Sequence, residues 1–260
     1  MPARAKSTVA DVRRRPGRGM LAATVVAFAI LISLGTWQVY RLQWKEALIA
    51  GIEARRHAAP LPIAELARQA AAGRDVDYVP VTLSGVFDNA HEQYFFATDD
   101  GKVGYYVYTP LDLADGRTVF VNRGFVPEDL RDPARRAEGQ PAGAVTVTGL
   151  ARARLSGKPS WVVPGNEPGK SLYFWKDLDA MAANAAVPSE RLVPFFVDAD
   201  ATPNPGGWPK GGVTQIDLPN NHLNYALTWY GLAAALVVIS VLAFRRKATD
   251  RAGSRKRSGR

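Results

Sequence analysis

Two long uncharged segments near the ends of this 260-residue chain constrain its fold more than any other feature. Met20 to Tyr40 and Leu223 to Phe244 contain no charged residue over 21 and 22 positions. A helix of that length, at about 1.5 Å per residue, crosses the roughly 30 Å core of a bilayer. A cleaved signal peptide would have a shorter apolar region, roughly 7–15 residues, ending at a small-residue cleavage site. We therefore predict one transmembrane helix at each end.

The charges predict the orientation of both helices. Residues 1–19 hold six Lys/Arg and one Asp, and residues 245–260 hold eight Lys/Arg and one Asp. The stretch 41–221 holds 19 Lys/Arg and 22 Asp/Glu, so the formal net charge of +9 comes entirely from the tails. Basic segments beside membrane helices stay on the cytoplasmic side. We expect both termini on the cytoplasmic side of a bacterial plasma membrane and the middle region on its outer side. We also expect the basic tails to contact lipid rather than nucleic acid.

These features predict a membrane protein in which two transmembrane α-helices bracket a β-rich α+β extracytoplasmic domain. Alternating apolar patterns indicate strands, and DDG at 99–101 and ADG at 114–116 are typical of hairpin turns. The predicted domains are a basic tail (1–19), a helix (20–40), the outer domain (41–221), a second helix (222–244) and a basic tail (245–260). Within the outer domain we predict helices at 61–71 and 175–186 and strands at 78–87, 93–98, 103–111, 117–122, 145–151 and 192–198.

The residues provide few ligands and no catalytic motif. The chain has no cysteine, three methionines, and three histidines, His57, His91 and His222. Zinc ribbons, thiolate sites and c-type haem attachment are therefore excluded, and G-x-S-x-G, H-E-x-x-H and phosphate-binding glycine loops are absent. His91, between acidic neighbours, is better explained as solvated than as a base. Arg123 either binds a carboxylate or forms an internal ion pair at a tight turn made by Gly124, with the ion pair favoured. We predict no enzymatic activity.

His222 is the histidine nearest to a predicted span, at its first turn. Pro219 and the following asparagines stop the preceding chain and cap the helix. Helical spacing places Tyr225 and Trp229 on the same face as His222. A neutral imidazole there can bind a metal or haem, while the alternative is an interfacial histidine in an aromatic belt. At the other span, Trp37, Tyr40, Arg41 and Trp44 form one stripe on a helix that continues beyond the membrane.

Four motifs resemble the surfeit locus protein 1 family of cytochrome c oxidase assembly factors. LGTWQVYRLQWKEALI (34–49) is similar to the segment leaving the first span, and TPLDLADGRTVFVNRGFVP (109–127) to a central hairpin. NEPGKSLYFWKDLDAMA (166–182) resembles a Trp-containing helix, and GGVTQIDLPNNHLNYALTWYGLA (211–233) the start of the second span. The motifs occur in the family's order and cover most of the chain. Phe125 stands where the family commonly has tryptophan.

This resemblance implies a factor that binds haem a at the outer membrane face and helps insert it into the oxidase catalytic subunit. A histidine at the mouth of the second span is associated with haem a in bacterial members, so His222 becomes the expected axial ligand of the haem iron. Haem a synthase is a candidate second partner. Other expected cofactor-binding residues are the aromatic wall of Trp37, Trp44, Tyr225 and Trp229, and Arg41, which would pair with either a haem propionate or lipid phosphate. Two rivals remain: a scaffold that never binds haem, and a membrane-anchored enzyme.

Overall fold

The computed structural model describes residues 18–214 and 218–257, with side chains from Gly19 to Ala243 in those ranges and for Arg245. Most of the predicted first tail (residues 1–17) and the last three residues lie outside the described residues. The chain forms two compact units. One contains the chain up to Ile49 and from Leu218 onward, and the other is Ala50–Asp217.

Within the described residues the chain forms four α-helices and eight strands. The helices are α1 (Arg18–Arg56), α2 (Ile63–Ala71), α3 (Leu178–Asn184) and α4 (His222–Arg257). The strands are β1 (Leu61–Pro62), β2 (Pro80–Phe87), β3 (Gln93–Asp99), β4 (Lys102–Leu113), β5 (Thr118–Pro127), β6 (Ala144–Ala153), β7 (Leu172–Tyr173) and β8 (Leu192–Ala199).

The helical unit consists of α4 and most of α1. Gly19–Arg56 and His222–Ala243 are each long and apolar enough to cross a membrane. The predicted helical continuation of the first segment is confirmed, since α1 runs unbroken for 39 residues. The second helix begins at His222, directly after the asparagines that were expected to precede it.

The strands of the other unit form a closed barrel, hereafter the β-domain. The sheet order is β1-β2-β6-β8-β5-β4-β3-β7, and an additional pairing of β2 with β4 closes the circuit. Val119, Val121, Phe195 and Val197 belong to a core that includes Leu66 of α2. Phe120 and Phe196, which point to the opposite faces of the same strands, pack in a second core with Leu178 and Met181 of α3. Because β5 and β8 are buried on both faces, their apolar runs are nearly continuous.

The predicted hairpins are confirmed. β3 and β4 are joined by Asp100 and Gly101, which both have positive φ, the conformation that a two-residue hairpin favours. The ADG turn joins β4 to β5, with Gly116 at φ 83°. These turns bring β4 between β3 and β5 over much of its length, with registers Gln93↔Tyr108 and Tyr105↔Val126.

Three predicted boundaries were wrong. The helix predicted at 61–71 begins at Ile63, because residues 61–62 pair with β2. The helix predicted at 175–186 spans only Leu178–Asn184, because the Asp177 side chain accepts a hydrogen bond from the Ala180 N–H and caps its start. The strand predicted to end at residue 122 continues to Pro127, so Gly124 lies inside β5 rather than at a turn.

Gly124 is required there for a different reason. Its φ is +122°, and a Cβ would lie 2.0 Å from the carbonyl oxygen of Lys210. The backbones of Phe125 and Lys210 exchange two hydrogen bonds of 2.9 Å at this point. Only glycine allows the segment after β8 to approach β5 so closely.

Candidate functional site

The candidate site is centred on His222, the first residue of α4. Its imidazole is half-buried, and its Nδ1 lies 2.7 Å from the side-chain oxygen of Gln38 on α1. Among the described side chains, none hydrogen-bonds to Nε2. The ring is therefore held through one nitrogen while the other keeps its capacity to bind a ligand. This donor set fits a single axial bond to a metal, because metal-binding histidines commonly engage their second nitrogen in a hydrogen bond.

A close contact between α1 and α4 lies next to this pair. The Tyr230 hydroxyl is 3.0 Å from the Thr36 hydroxyl. A Cβ added to Gly35 would lie 2.8 Å from the Tyr230 ring, so glycine lets this ring reach the backbone of α1. The face of α4 that meets α1 thus includes His222 and Tyr230.

Tyr225 and Trp229 differ in their relation to that face. Trp229 is half-buried, whereas Tyr225 is 55% exposed. Ala226, the small gap predicted between the aromatic rings, is buried at 2% exposure. Of the two predicted aromatic residues on α4, Trp229 is the more buried, and it lies about two turns beyond His222 on the same side of the helix.

The predicted stripe on α1 lies on another side of the helix. At about 100° per residue, Trp37 and Trp44 are rotated by roughly 100–120° from Gln38. Both rings are about half exposed, at 57% and 49%. The Arg41 guanidinium stacks over the Trp44 ring, 3.9 Å from its centroid, and stays exposed. The structure therefore joins Trp44 to Arg41, but does not bring the two tryptophans to the face that contacts His222.

Gln38 was missed by the sequence analysis. It lies within the uncharged segment 20–40, next to Trp37 but outside the aromatic stripe. A usable signal was present, because an amide inside an apolar helix tends to face another helix where it can form a hydrogen bond.

The β-domain contains a second group of polar residues, around Glu92. Its carboxylate accepts hydrogen bonds from Arg136, including one of 3.0 Å from Nη1, and from the Tyr94 hydroxyl at 2.9 Å. Arg123 approaches the same carboxylate to 3.8 Å and donates to the Gly139 carbonyl at 2.5 Å. The side chains of Glu92, Arg123 and Arg136 are each 2% exposed.

This geometry agrees with the internal ion pair favoured for Arg123. The guanidinium also stacks on Phe87, 4.5 Å from the ring centroid. Burial lowers the pKa of Arg123 to about 10, against the opposing effect of Glu92, so the group is still a cation at neutral pH. At 2% exposure, the side chain of Arg123 offers little surface to a ligand.

The remaining histidines provide no alternative centre. The His91 Nδ1 lies 2.6 Å from the Asp88 carboxylate, and both side chains are partly exposed. His57 is 69% exposed and pairs with Glu53 one turn earlier. Within the part of the chain that the structure describes, no group of three His, Asp or Glu residues lies close enough to hold a metal ion.

Comparison with known proteins shows the family of this chain. The pattern of the SURF1 family matches residues 25–234. Surfeit locus protein 1 of Rattus norvegicus is 39% identical over 223 residues, which cover 80% of this chain and 70% of the relative. The human protein of that name is 37% identical, covering 78% and 70%. A SURF1-like protein of Monosiga brevicollis is 36% identical and covers 96% of both chains. The chain therefore belongs to the SURF1 family.

Proposed function

We propose that this protein binds haem a at the outer face of a bacterial plasma membrane and assists its insertion into the catalytic subunit of a cytochrome c oxidase. The single observation that carries the haem role is the half-buried His222 imidazole, which is held to Gln38 through Nδ1. Its Nε2 forms no hydrogen bond with any described side chain. Membership of the SURF1 family supports the role in oxidase assembly. The protein acts as a carrier and catalyses no reaction.

The residues of the chain have distinct tasks in this proposal. His222 supplies one axial nitrogen, and Trp229, about two turns further along the same face of α4, supplies a flat apolar surface. Arg41, positioned by its stacking on Trp44, pairs with an anionic group at the headgroup level, a propionate or a lipid phosphate. Haem a, when bound, supplies the redox-active iron that the oxidase requires. A carrier must also release its cargo, so a single protein ligand in a partly open site suits transfer better than an enclosed pocket.

The second candidate is a scaffold that stabilises an oxidase intermediate without binding haem. One observation favours it: Trp37 and Trp44 lie on a different side of α1 from the face that contacts His222, so these rings do not enclose a common site with the imidazole. The scaffold role needs only the exposed surfaces of the helices and the β-domain.

Pigment bound to the purified protein distinguishes the two candidates. The full chain is co-expressed with the enzymes of haem a biosynthesis, purified in mild detergent, and its pigment extracted and identified. We expect haem a at up to one equivalent per chain. A preparation without haem, in cells whose oxidase still depends on the protein, would contradict the carrier and support the scaffold.

The proposed orientation makes a separate prediction. Gly157 lies in an exposed loop with open space around its Cα, so a reporter domain inserted there should leave the β-domain folded. A reporter enzyme that is active only outside the cytoplasm should work at this position and fail when fused after Arg260. Fusion protein levels measured by immunoblot provide the control. Activity of the carboxyl-terminal fusion would contradict the arrangement with both ends inside.

A further inference from the structure

The contact between Gln38 and His222 determines which nitrogen of the imidazole is available. We infer that Gln38 is a positioning residue, which holds the proton of His222 on Nδ1 and directs the Nε2 lone pair to the ligand. The use of Nε2 to bind the haem iron rests on the proposed function, whereas the position of the proton on Nδ1 depends only on the contact with Gln38. This contact gives a role to the amide that lies within the uncharged segment 20–40 of α1.

The chemistry follows from the atoms in contact. The Gln38 atom facing His222 is the carbonyl oxygen Oε1, at 2.7 Å from Nδ1. A carbonyl oxygen accepts hydrogen bonds and cannot donate, so Nδ1 must carry the proton. In a neutral imidazole the other nitrogen is then an unprotonated acceptor. Nε2 is also the nitrogen farther from the backbone, which gives an incoming ligand more room.

Without this contact the preference would be reversed. Free histidine in water favours the tautomer protonated on Nε2, which leaves its lone pair on the hindered Nδ1. A hydrogen bond that is partly shielded from water contributes about 0.5–1.5 kcal/mol, enough to shift a tautomer ratio roughly two- to twelve-fold. In metal sites such outer partners also orient the ring and raise the basicity of the ligating nitrogen.

The neighbouring helix contact keeps Gln38 in register with His222. Gly35 lies almost one turn before Gln38 on α1, and there the Tyr230 ring packs against the backbone. The hydrogen bond between Tyr230 and Thr36 adds a directional restraint at the same level. A sliding of α1 along α4 by one residue, about 1.5 Å, would break both this hydrogen bond and the one to His222. The two contacts therefore support each other.

Histidine tautomers can be read directly by nuclear magnetic resonance without any haem. The full chain, labelled with ¹³C,¹⁵N-histidine, is produced in a host that makes no haem a and reconstituted in lipid bilayers at about pH 8.5, where an ordinary histidine is neutral. Correlation of each ring nitrogen with Cγ or Cδ2 identifies which nitrogen carries the proton. Since the chain has three histidines, His57→Gln and His91→Gln variants assign the signals.

We expect His222 of the wild-type chain to be protonated on Nδ1 as a single tautomer. Gln38→Glu keeps an acceptor and should keep this tautomer, whereas Gln38→Leu removes the acceptor and should shift the population to Nε2–H. Gln43→Leu is the matched control, because Gln43 is an exposed amide on the same helix. The inference is overturned if wild-type His222 carries its proton on Nε2, or if Gln38→Leu leaves the tautomer unchanged.

This readout separates the inference from the proposed function. A protein with the Nδ1–H tautomer that never binds haem would retain the role of Gln38 in orienting the ring and refute the carrier. A protein that binds haem through His222 but carries its proton on Nε2 before binding would refute the role of Gln38 and retain the carrier.

Discussion

Replacing Glu92 with glutamine is expected to destabilise the β-domain by about 3–5 kcal/mol, because among the described side chains it is the only carboxylate that contacts the two buried arginines, Arg123 and Arg136. Arg136 donates hydrogen bonds to that carboxylate, and Arg123 lies 3.8 Å from it. All three side chains are 2% exposed. An amide of the same shape cannot neutralise either guanidinium, and its NH₂ group would face further donors. We expect the midpoint of urea unfolding of the full chain in detergent, followed by near-ultraviolet circular dichroism, to fall accordingly.

An exposed ion pair provides the control for this change. Asp115 and Arg117 pair across the turn between β4 and β5, with side chains 46% and 31% exposed. Asp115→Asn keeps the turn geometry and removes only the charge, so its cost should stay within about 1 kcal/mol. Adding Arg136→Met to Glu92→Gln should recover part of the lost stability, because one unpaired buried cation is then gone. Equal effects of Glu92→Gln and Asp115→Asn would show that the cluster is not an enclosed ion pair.

If the proposed carrier role is right, replacing His222 with alanine is expected to abolish axial ligation and remove most of the haem a that purifies with the wild-type protein. No other described histidine can take its place. His57 pairs with Glu53 and His91 with Asp88, both in the β-domain unit. The measurements are the visible spectrum and the haem-to-protein ratio of the purified chain. Oxidase activity in the host should fall only partly if the protein also has a scaffolding role.

This variant should still fold, with a moderate loss of stability. The loss of the Gln38 partner leaves a half-buried amide oxygen unpaired, which costs about 1–3 kcal/mol and is more than a surface substitution would cost. His57→Ala is the matched control and should retain haem at the wild-type ratio. If His222→Ala retained the wild-type spectrum and stoichiometry, His222 would not be the ligand, although haem could still be carried by other residues.

The fold was predictable where local chemistry determines it. The long uncharged helices and the hairpins at 99–101 and 114–116 follow from composition and from turn residues, and the structure confirms them. The extent of β5 was not predictable in this way. Arg123 and Gly124 interrupt the apolar pattern, so the pattern predicts that the strand ends before them. The strand continues because residues 125–127 pair with Gly104, Tyr105 and Tyr106 of β4 beyond a bulge, and because Phe125 bridges to Lys210, which lies 85 residues later in the chain.

The sequence predicts where the candidate site lies along the chain, but not how its side chains are arranged in space. His222 stands out because histidines are few and one begins an apolar helix. Helical periodicity orders residues around one helix, yet it does not say which side meets another helix. That side is set by Gly35 against Tyr230 and by Gln38 against His222. Trp37 and Trp44 share a stripe with Arg41, but only the structure shows that this stripe lies away from the side of α1 that contacts His222.

The position of β8 has a consequence for synthesis of the protein. β8 is the last strand in chain order, yet it lies between β5 and β6 and pairs with both. The ribosome must add the 38 residues from 154 to 191 after β6 ends and before β8 begins, which takes about 2–8 s at 5–20 residues per second. During that interval the facing edges of β5 and β6 have no partner, and unpaired edges recruit other strands. A nascent chain that stalls before Leu192 would therefore be prone to aggregate, and a holdase chaperone would benefit it most in this window.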